Sequence, residues 1–173
     1  LSVLNNDLAE PRTKQFYKKI MNTEPRINYN IFGTKTGRLT TEKKSFPILT
    51  MDKKYRKIIK PNNNWFVELD YNAAELRVLL GLLGEEQPLI DLHEYNAYEL
   101  FNGDISRDEA KKRIFSWLYN PNAKDEVFSK LYDREAVKNE YWNGTEVTTT
   151  YHRNIPSDEY HALNYIIQST CSD

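Results

Sequence analysis

"VELDYNAAELRVLLGLLG", residues 67–84, joins two habits of chain that do not belong to one element. From Trp65 to Asp70 the residues alternate as in a strand, with Trp65, Val67 and Leu69 on one side and Phe66, Glu68 and Asp70 on the other. Farther on, Leu76, Leu79, Leu80 and Leu83 recur at helical spacing. The spacing predicts a strand over 65–70 and a helix over about 73–83, closed by Gly84 as C-cap. Two acids stand at the changeover. Asp70 ends the strand, where a carboxylate is held rigidly yet left open to solvent and substrate. That suits Mg²⁺, which commonly takes one or two carboxylates plus substrate phosphates, and it equally suits a capping Asp near a turn. For Glu75 the spacing favours structure alone, with Asn72 as N-cap and Glu75 as its N3 partner in a capping box.

The 173 residues suffice for one sizeable core or a two-lobed unit, and 39% apolar with 28% charged residues is a globular balance rather than a disordered one. The single cysteine, Cys171, excludes an internal disulfide, and the start "LSVLNNDLAEPRTK" lacks the basic-then-apolar order of a signal peptide. The longest apolar stretch, 76–83, contains Arg77 and is too short to span a bilayer, so no membrane partner is expected. These features predict a soluble intracellular protein. The formal net charge of −1 conceals a division: residues 1–60 carry 14 Lys and Arg against 5 Asp and Glu, and residues 61–173 carry 10 against 20. One part is suited to polyanions and the other to cations, or the asymmetry falls by chance on solvated faces.

A basic helix is expected over 8–21, ending before Pro25. "INYNIF" alternates as a strand and runs into the Gly- and Thr-rich "GTKTGRLTT", from which Lys35 and Arg38 project. Pro88 is read as opening a helix to about Phe101, and "DEVFSKLYDREAVKNEYW" as one amphipathic helix. "TEVTTTYHRNIP" has strand or ribbon composition, and a last helix spans about 157–173.

The helix "SRDEAKKRIFSWLYN" begins with a capping box, Ser106 and Glu109, and ends at Pro121. At about 100° per residue, Ala110, Ile114, Trp117 and Leu118 make its core face. Arg107, Lys111, Phe115 and Tyr119 form a second stripe, two cations and then two aromatics. That order could hold phosphates at one end and stack on a base or sugar at the other, or it could be solvated charge beside a wide apolar face. On the last helix Leu163, Ile166, Ile167 and Thr170 face inward, beside a polar stripe of His161, Asn164 and Gln168 whose amides could meet base edges or sugars.

Taken together and in this order, these segments resemble the polymerase domain of family-A DNA polymerases, the DNA polymerase I group. "TKTGRLTT" resembles the family's TGRLSS element, and "ELDYNAAELRVL" resembles motif A, usually DYSQIELR. "DLHEYNA" is similar to the DIHxxTA element, and "RDEAKKRIFSWLYN" to motif B, R-x3-K-x3-F-x3-YG, with the same spacing. "GTEVTTTYHRNIP" resembles the ribbon before the last helix, and "NYIIQSTCSD" resembles N-x3-Q-G-T-x2-D. The match runs from about residue 29 to 173.

The resemblance implies an α+β fold, a partial palm with an antiparallel sheet and a helical fingers subdomain of a right-hand polymerase. Its implied parts are the end of a thumb helix at 1–28, the N-terminal half of the palm with motif A at 29–87, compact fingers with motif B at 88–156, and a helix returning to the palm at 157–173. The implied activity is template-directed nucleotidyl transfer from a dNTP to a primer 3′-OH with two Mg²⁺ ions, and the implied setting is the cytoplasm of a bacterium or of a virus-infected cell. Asp70 would bind both metals with help from the Tyr71 carbonyl. Glu75 would be the steric gate against a ribose 2′-OH, held by a hydrogen bond from Tyr119. His93, Arg107 and Lys111 would grip the triphosphate, Phe115 would lie against sugar and base, and Tyr119 would guard the templating position. Arg38, Asn164 and Gln168 would contact primer-template DNA.

The departures from the family pattern are specific. Asn72, Ala73 and Ala74 replace the usual Ser, Gln and Ile of motif A, Asn120 replaces the glycine of YG, and Ser169 replaces the glycine after Gln168. The element usually reading PNLQNIP is reduced to "FPILTM". The family's second metal-binding aspartate, in an HDE motif, is not reached, so the resemblance implies a downstream polymerase half as partner and little activity without it. Two other readings stay open: a non-catalytic DNA- or nucleotide-binding remnant, and an unrelated Mg²⁺-dependent phosphohydrolase using Asp70, Asp91 and His93.

Overall fold

The structure, a computed structural model, describes residues 9–173. It is mixed α and β, mostly helical, with two small antiparallel sheets. The described residues divide into two compact units, one of 9–34 and 38–69 and the other of 35–37 and 70–173. The division at 69/70 falls close to the point where the sequence changes from basic to acidic. No helix among the described residues is long and apolar enough to cross a membrane.

In the first unit, helix α1 (Pro11–Met21) starts with Pro in its first turn, where the missing N–H costs nothing. The part of the expected helix at residue 8, and residues 1–8 of the expected thumb segment, lie outside the described residues. α1 buries Ile20 against Met51 and Tyr55, and Phe16 stacks on Tyr55 at 4.4 Å between ring centres. The buried Thr13 hydroxyl meets the Tyr55 hydroxyl at 2.8 Å, which satisfies both groups. Strands β1 (Tyr29–Asn30) and β2 (Thr40–Thr41) pair antiparallel across the Gly-rich turn.

The strand expected at 65–70 does not form: these residues lie outside any sheet, with Trp65 78% and Leu69 91% exposed. Alternation records which side of a ribbon is apolar, but a strand also needs a neighbour to take its backbone hydrogen bonds. Among the described residues none pairs with it.

The second unit has a single apolar core. Helix α2 (Ala74–Leu83) contributes Leu76, Leu79 and Leu80, all fully buried, and ends at Gly84 with φ +72°, the left-handed C-cap expected. Each such leucine contributes roughly 1.5–3 kcal/mol through burial. Helix α4 (Arg107–Tyr119) buries Ala110, Ile114, Trp117 and Leu118, the face drawn from its angular map, and carries the expected capping box. Helix α7 (Glu159–Ser172) buries Leu163, Ile166 and Ile167 against α2. Between these, helix α3 (Leu92–Glu99) packs on α4, and β3 (Glu146–Thr148) pairs with β4 (Asn154–Pro156) as the predicted ribbon.

Two helix boundaries differ from expectation. α3 begins at Leu92 rather than Pro88, because the Arg77 guanidinium donates to the carbonyls of Pro88 (2.9 Å) and Ile90 (3.0 Å) and holds that segment out of the helix. The single helix expected over 125–142 is two, α5 (Glu126–Leu131) and α6 (Arg134–Tyr141). The break sits where Asp133 caps α6 and Tyr132 turns fully inward, its hydroxyl donating to Asn96 Oδ1 at 2.8 Å.

Burial pushes the Tyr132 phenol up to about 12 from its ordinary 10.0. A raised folded value keeps this contribution intact below pH 10 and loses it as pH climbs through 12, about 2–3 kcal/mol in all. Tyr132→Phe is expected to cost about 1 kcal/mol at pH 8, because Asn96 loses its donor, and to flatten the fall in stability above pH 10. Urea unfolding of both proteins from pH 8 to 12 measures the difference; parallel curves would remove Tyr132 as its source.

Candidate nucleotide-binding site

The candidate site is built along one edge of α4, away from its buried face. Arg107 is the first residue of the helix, and Lys111, Phe115 and Tyr119 follow a turn apart, so the predicted stripe is formed. Lys111 is exposed, while Phe115 and Tyr119 are half-buried and stacked at 6.1 Å between ring centres. His93, from α3, adds a third ring 5.8 Å from Phe115. The edge thus runs from two cations to a ladder of three rings.

His93 is buried, and its Nδ1 has no hydrogen-bond partner among the described residues. Burial lowers its pKa first, Asp91 opposes this, and Lys111 and Arg107 lower it further, so the ring is held neutral at physiological pH. A neutral imidazole offers one donor and one acceptor rather than a cation.

Glu75 belongs to this edge through a contact that local spacing did not supply. The Tyr119 hydroxyl donates to Glu75 Oε2 at 2.7 Å, joining α2 to the end of α4 across 44 residues. The capping box expected between Asn72 and Glu75 is absent: Ala73, at φ +51°, is the N-cap of α2 and makes no side-chain cap. Both polar groups have stronger distant partners. Asn72 turns to the start of α3, where its Oδ1 accepts from the Leu92 N–H at 3.1 Å and its amide donates to Asp91. Arg77 fixes the same turn by donating to the Asn72 carbonyl at 2.9 Å.

Asp91 is the residue that sequence reasoning undervalued. Its Oδ1 caps α3 by accepting from the His93 and Glu94 N–H groups at 2.9 and 3.0 Å, and its Oδ2 accepts from Arg107 at 2.8 Å. Burial raises its pKa, but the Arg107 guanidinium, the Glu94 N–H, the Asn72 amide and the His93 N–H outweigh that and hold the carboxyl well below the usual carboxylate range. The D-x-x-E pattern of Asp91 and Glu94 is the sequence signal for this cap, and Pro88 just upstream offers a competing helix start. A carboxylate committed to four donors is a poor hydrolytic metal ligand, which weakens the phosphohydrolase alternative.

Asp70 and Tyr71 are exposed and stand just before Asn72. The exposed Asp70 carboxylate fits one hard-cation ligand of the kind Mg²⁺ shares with substrate phosphates. Among the described residues no group of three His, Cys, Asp or Glu side chains could hold an ion without such help. Asn164 and Gln168 are half-buried on α7, and Asn164 Oδ1 is buried with no hydrogen-bond partner among the described residues. Arg38 belongs to the other compact unit, where it is exposed. Lys35 to Gly37, by contrast, belong to the second unit, where Arg153 donates to the carbonyls of Lys35 and Thr36 at 3.1 Å and pairs with Asp173 at 2.6 Å. Nothing in the sequence signalled that clasp.

No protein-family model matches the chain, and no solved structure matches it. Among curated proteins, the DNA polymerase I of Chloroflexus aurantiacus is 29% identical over 138 residues, which cover 73% of this chain and 13% of that protein. The chain therefore spans about an eighth of that relative's length, and the distant similarity supports a polymerase-related family.

Proposed function

We propose that the chain is part of a DNA-directed DNA polymerase, the part that receives the incoming dNTP and supplies one of the metal-binding carboxylates. The observation that carries the reading is the Tyr119 to Glu75 hydrogen bond. It joins the two segments resembling motifs A and B, and it does so on the edge that also bears Arg107, Lys111 and Phe115. In this reading residues 29–87 are palm, 88–156 fingers, and 157–173 the helix returning to the palm, with residues 1–28 ending a thumb helix.

Arg107 and Lys111 would bind the triphosphate and offset the charge that grows on the leaving pyrophosphate. Neutral His93 would donate a hydrogen bond to a phosphate oxygen. Phe115 would hold sugar and base by stacking, Tyr119 would guard the templating position, and Glu75, fixed by Tyr119, would fill the space a ribose 2′-OH needs. Arg38, Asn164 and Gln168 would contact primer and template. Asp70 and the Tyr71 carbonyl would hold Mg²⁺, two ions in the completed site, whose chemistry is to activate the primer 3′-OH and stabilise the leaving oxygen. The second carboxylate would come from a further part of a family-A palm, in the same polypeptide or a separate one.

The test is to combine the chain with a polypeptide carrying the rest of a family-A palm, with Mg²⁺, dNTPs and a primed template. Template-directed extension is expected; an associated pair that extends no primer would overturn the reading. Binding of DNA that weakens with salt but yields no extension would favour the non-catalytic remnant.

A further inference from the structure

We propose that Asp91 is a positioning residue for Arg107, and that Asn72 couples this pair to the turn following Asp70. The inference rests on the nucleotide-binding reading above and goes beyond it, because Asp91 and Asn72 were given no part in that reaction.

The two oxygens of Asp91 divide their work. Oδ1 accepts from the His93 and Glu94 N–H groups and caps α3. Oδ2 accepts from Arg107 at 2.8 Å and from the Asn72 amide. Helix α3 therefore fixes the carboxylate, and the carboxylate fixes the guanidinium. Such a hold matters for Arg107, because its long side chain is 40% exposed at the first position of α4 and has many rotamers open to it. Its other carboxylate partner, Asp108, is 81% exposed at 3.3 Å and gives a weaker, solvated contact. One N–H of Arg107 is spent on Asp91, which leaves donors for a phosphate.

Asn72 extends the same hold to the other side of the site. Its Oδ1 accepts from the Leu92 N–H, its amide donates to Asp91, and its carbonyl accepts from Arg77. The turn two residues after Asp70 is thus tied to the carboxylate that orients Arg107. The arrangement gives the candidate metal ligand and the phosphate-binding end of α4 one shared anchor.

The division of oxygens makes Asp91→Asn a selective probe. Asn caps a helix about as well as Asp, so its oxygen can keep the α3 N–H groups. Its NH₂ would then face two donors, Arg107 and Asn72, and the orienting contact would be lost. The probe ligand is inorganic tripolyphosphate, titrated calorimetrically into the full 173-residue chain at low salt. Wild type should bind, Arg107→Ala should weaken binding, and Asp91→Asn should weaken it about tenfold. The double variant should be no weaker than Arg107→Ala alone, because Asp91 acts through Arg107.

Equal binding by Asp91→Asn and wild type, or additive losses in the double variant, would overturn the positioning role while leaving the nucleotide reading standing. No binding by the wild type would overturn both. A second measurement does not depend on the variant folding: ¹⁵N relaxation of the Arg107 side chain should report an ordered Nε–H in the wild type. A side chain as mobile there as that of an ordinary exposed arginine would also overturn the proposal.

Discussion

Asp70→Ala is expected to lower primer extension by the completed polymerase by at least about 10³-fold, while leaving the thermal midpoint of the 173-residue chain almost unchanged. The first half follows from charge. A carboxylate that shares hard cations with phosphates contributes several kcal/mol to the transition state, and about 4 kcal/mol is a thousandfold in rate. The second half follows from exposure, because Asp70 lies on the surface at the start of the second unit and substitutions at such sites usually change stability by under about 0.5 kcal/mol. Asp70→Asn separates charge from size and should be nearly as defective as alanine. Single-turnover extension beside a melting curve checks both halves. An active Asp70→Ala enzyme would remove the residue from the reaction, and a misfolded one would show that its role is structural.

Arg134→Met is expected to destabilise the chain by about 3 kcal/mol. The Arg134 guanidinium is buried at the end of α4, where it donates to the carbonyls of Trp117, of Asn120 at 3.0 Å, of Pro121 at 3.3 Å and of Ala123 at 2.7 Å. It also lies over the Trp117 ring at 4.5 Å. The last carbonyls of a helix have no partners within it, and Arg134 takes up that of Trp117, that of the C-cap Asn120 and two in the turn that follows. Methionine fills similar space but takes the guanidinium away from the Trp117, Pro121 and Ala123 carbonyls, while Asn120 keeps the Ala123 N–H at 3.0 Å; the cost is about 1–3 kcal/mol for each acceptor that water cannot reach. Arg134→Lys should recover less than half of the loss, since an ammonium cannot present a planar fork.

The consequence reaches the site. Tyr119 is the last residue of α4, so loosening this end should weaken the Tyr119 to Glu75 bond and with it tripolyphosphate or dNTP binding. Urea unfolding measures the first effect and titration the second. A loss under about 1 kcal/mol would mean that the carbonyls find water instead.

Periodic patterns carried most of what could be read from the residues. The core faces of α2, α4 and α7, the Gly84 cap, the Ser106 and Glu109 capping box and the β3–β4 ribbon all depend on neighbours within a few residues. So does the stripe from Arg107 to Tyr119, whose members share an edge because helical geometry puts them there. Resemblance added the Glu75 to Tyr119 contact, which periodicity could not suggest. What failed was each inference that let local chemistry decide between partners. Asn72 and Glu75 have the spacing of a capping box, yet each finds a distant group that satisfies it better. Pro88 has the chemistry of a helix start, yet Arg77 holds its carbonyl elsewhere.

The stretch 67–84 contains both outcomes. Sequence by itself determined its helical half, because a 3.6-residue period of leucines specifies a buried face wherever a core is present. It also determined that two acids stand at the joint. Tertiary structure decided how the joint is held: Glu75 accepts from Tyr119, the contact the resemblance implied, and the turn after Asp70 is tied through Asn72 to Asp91, which no local pattern indicated. The strand half stayed undecided by sequence, because a strand is completed by the hydrogen bonds of its neighbour, and alternation along one segment cannot supply them.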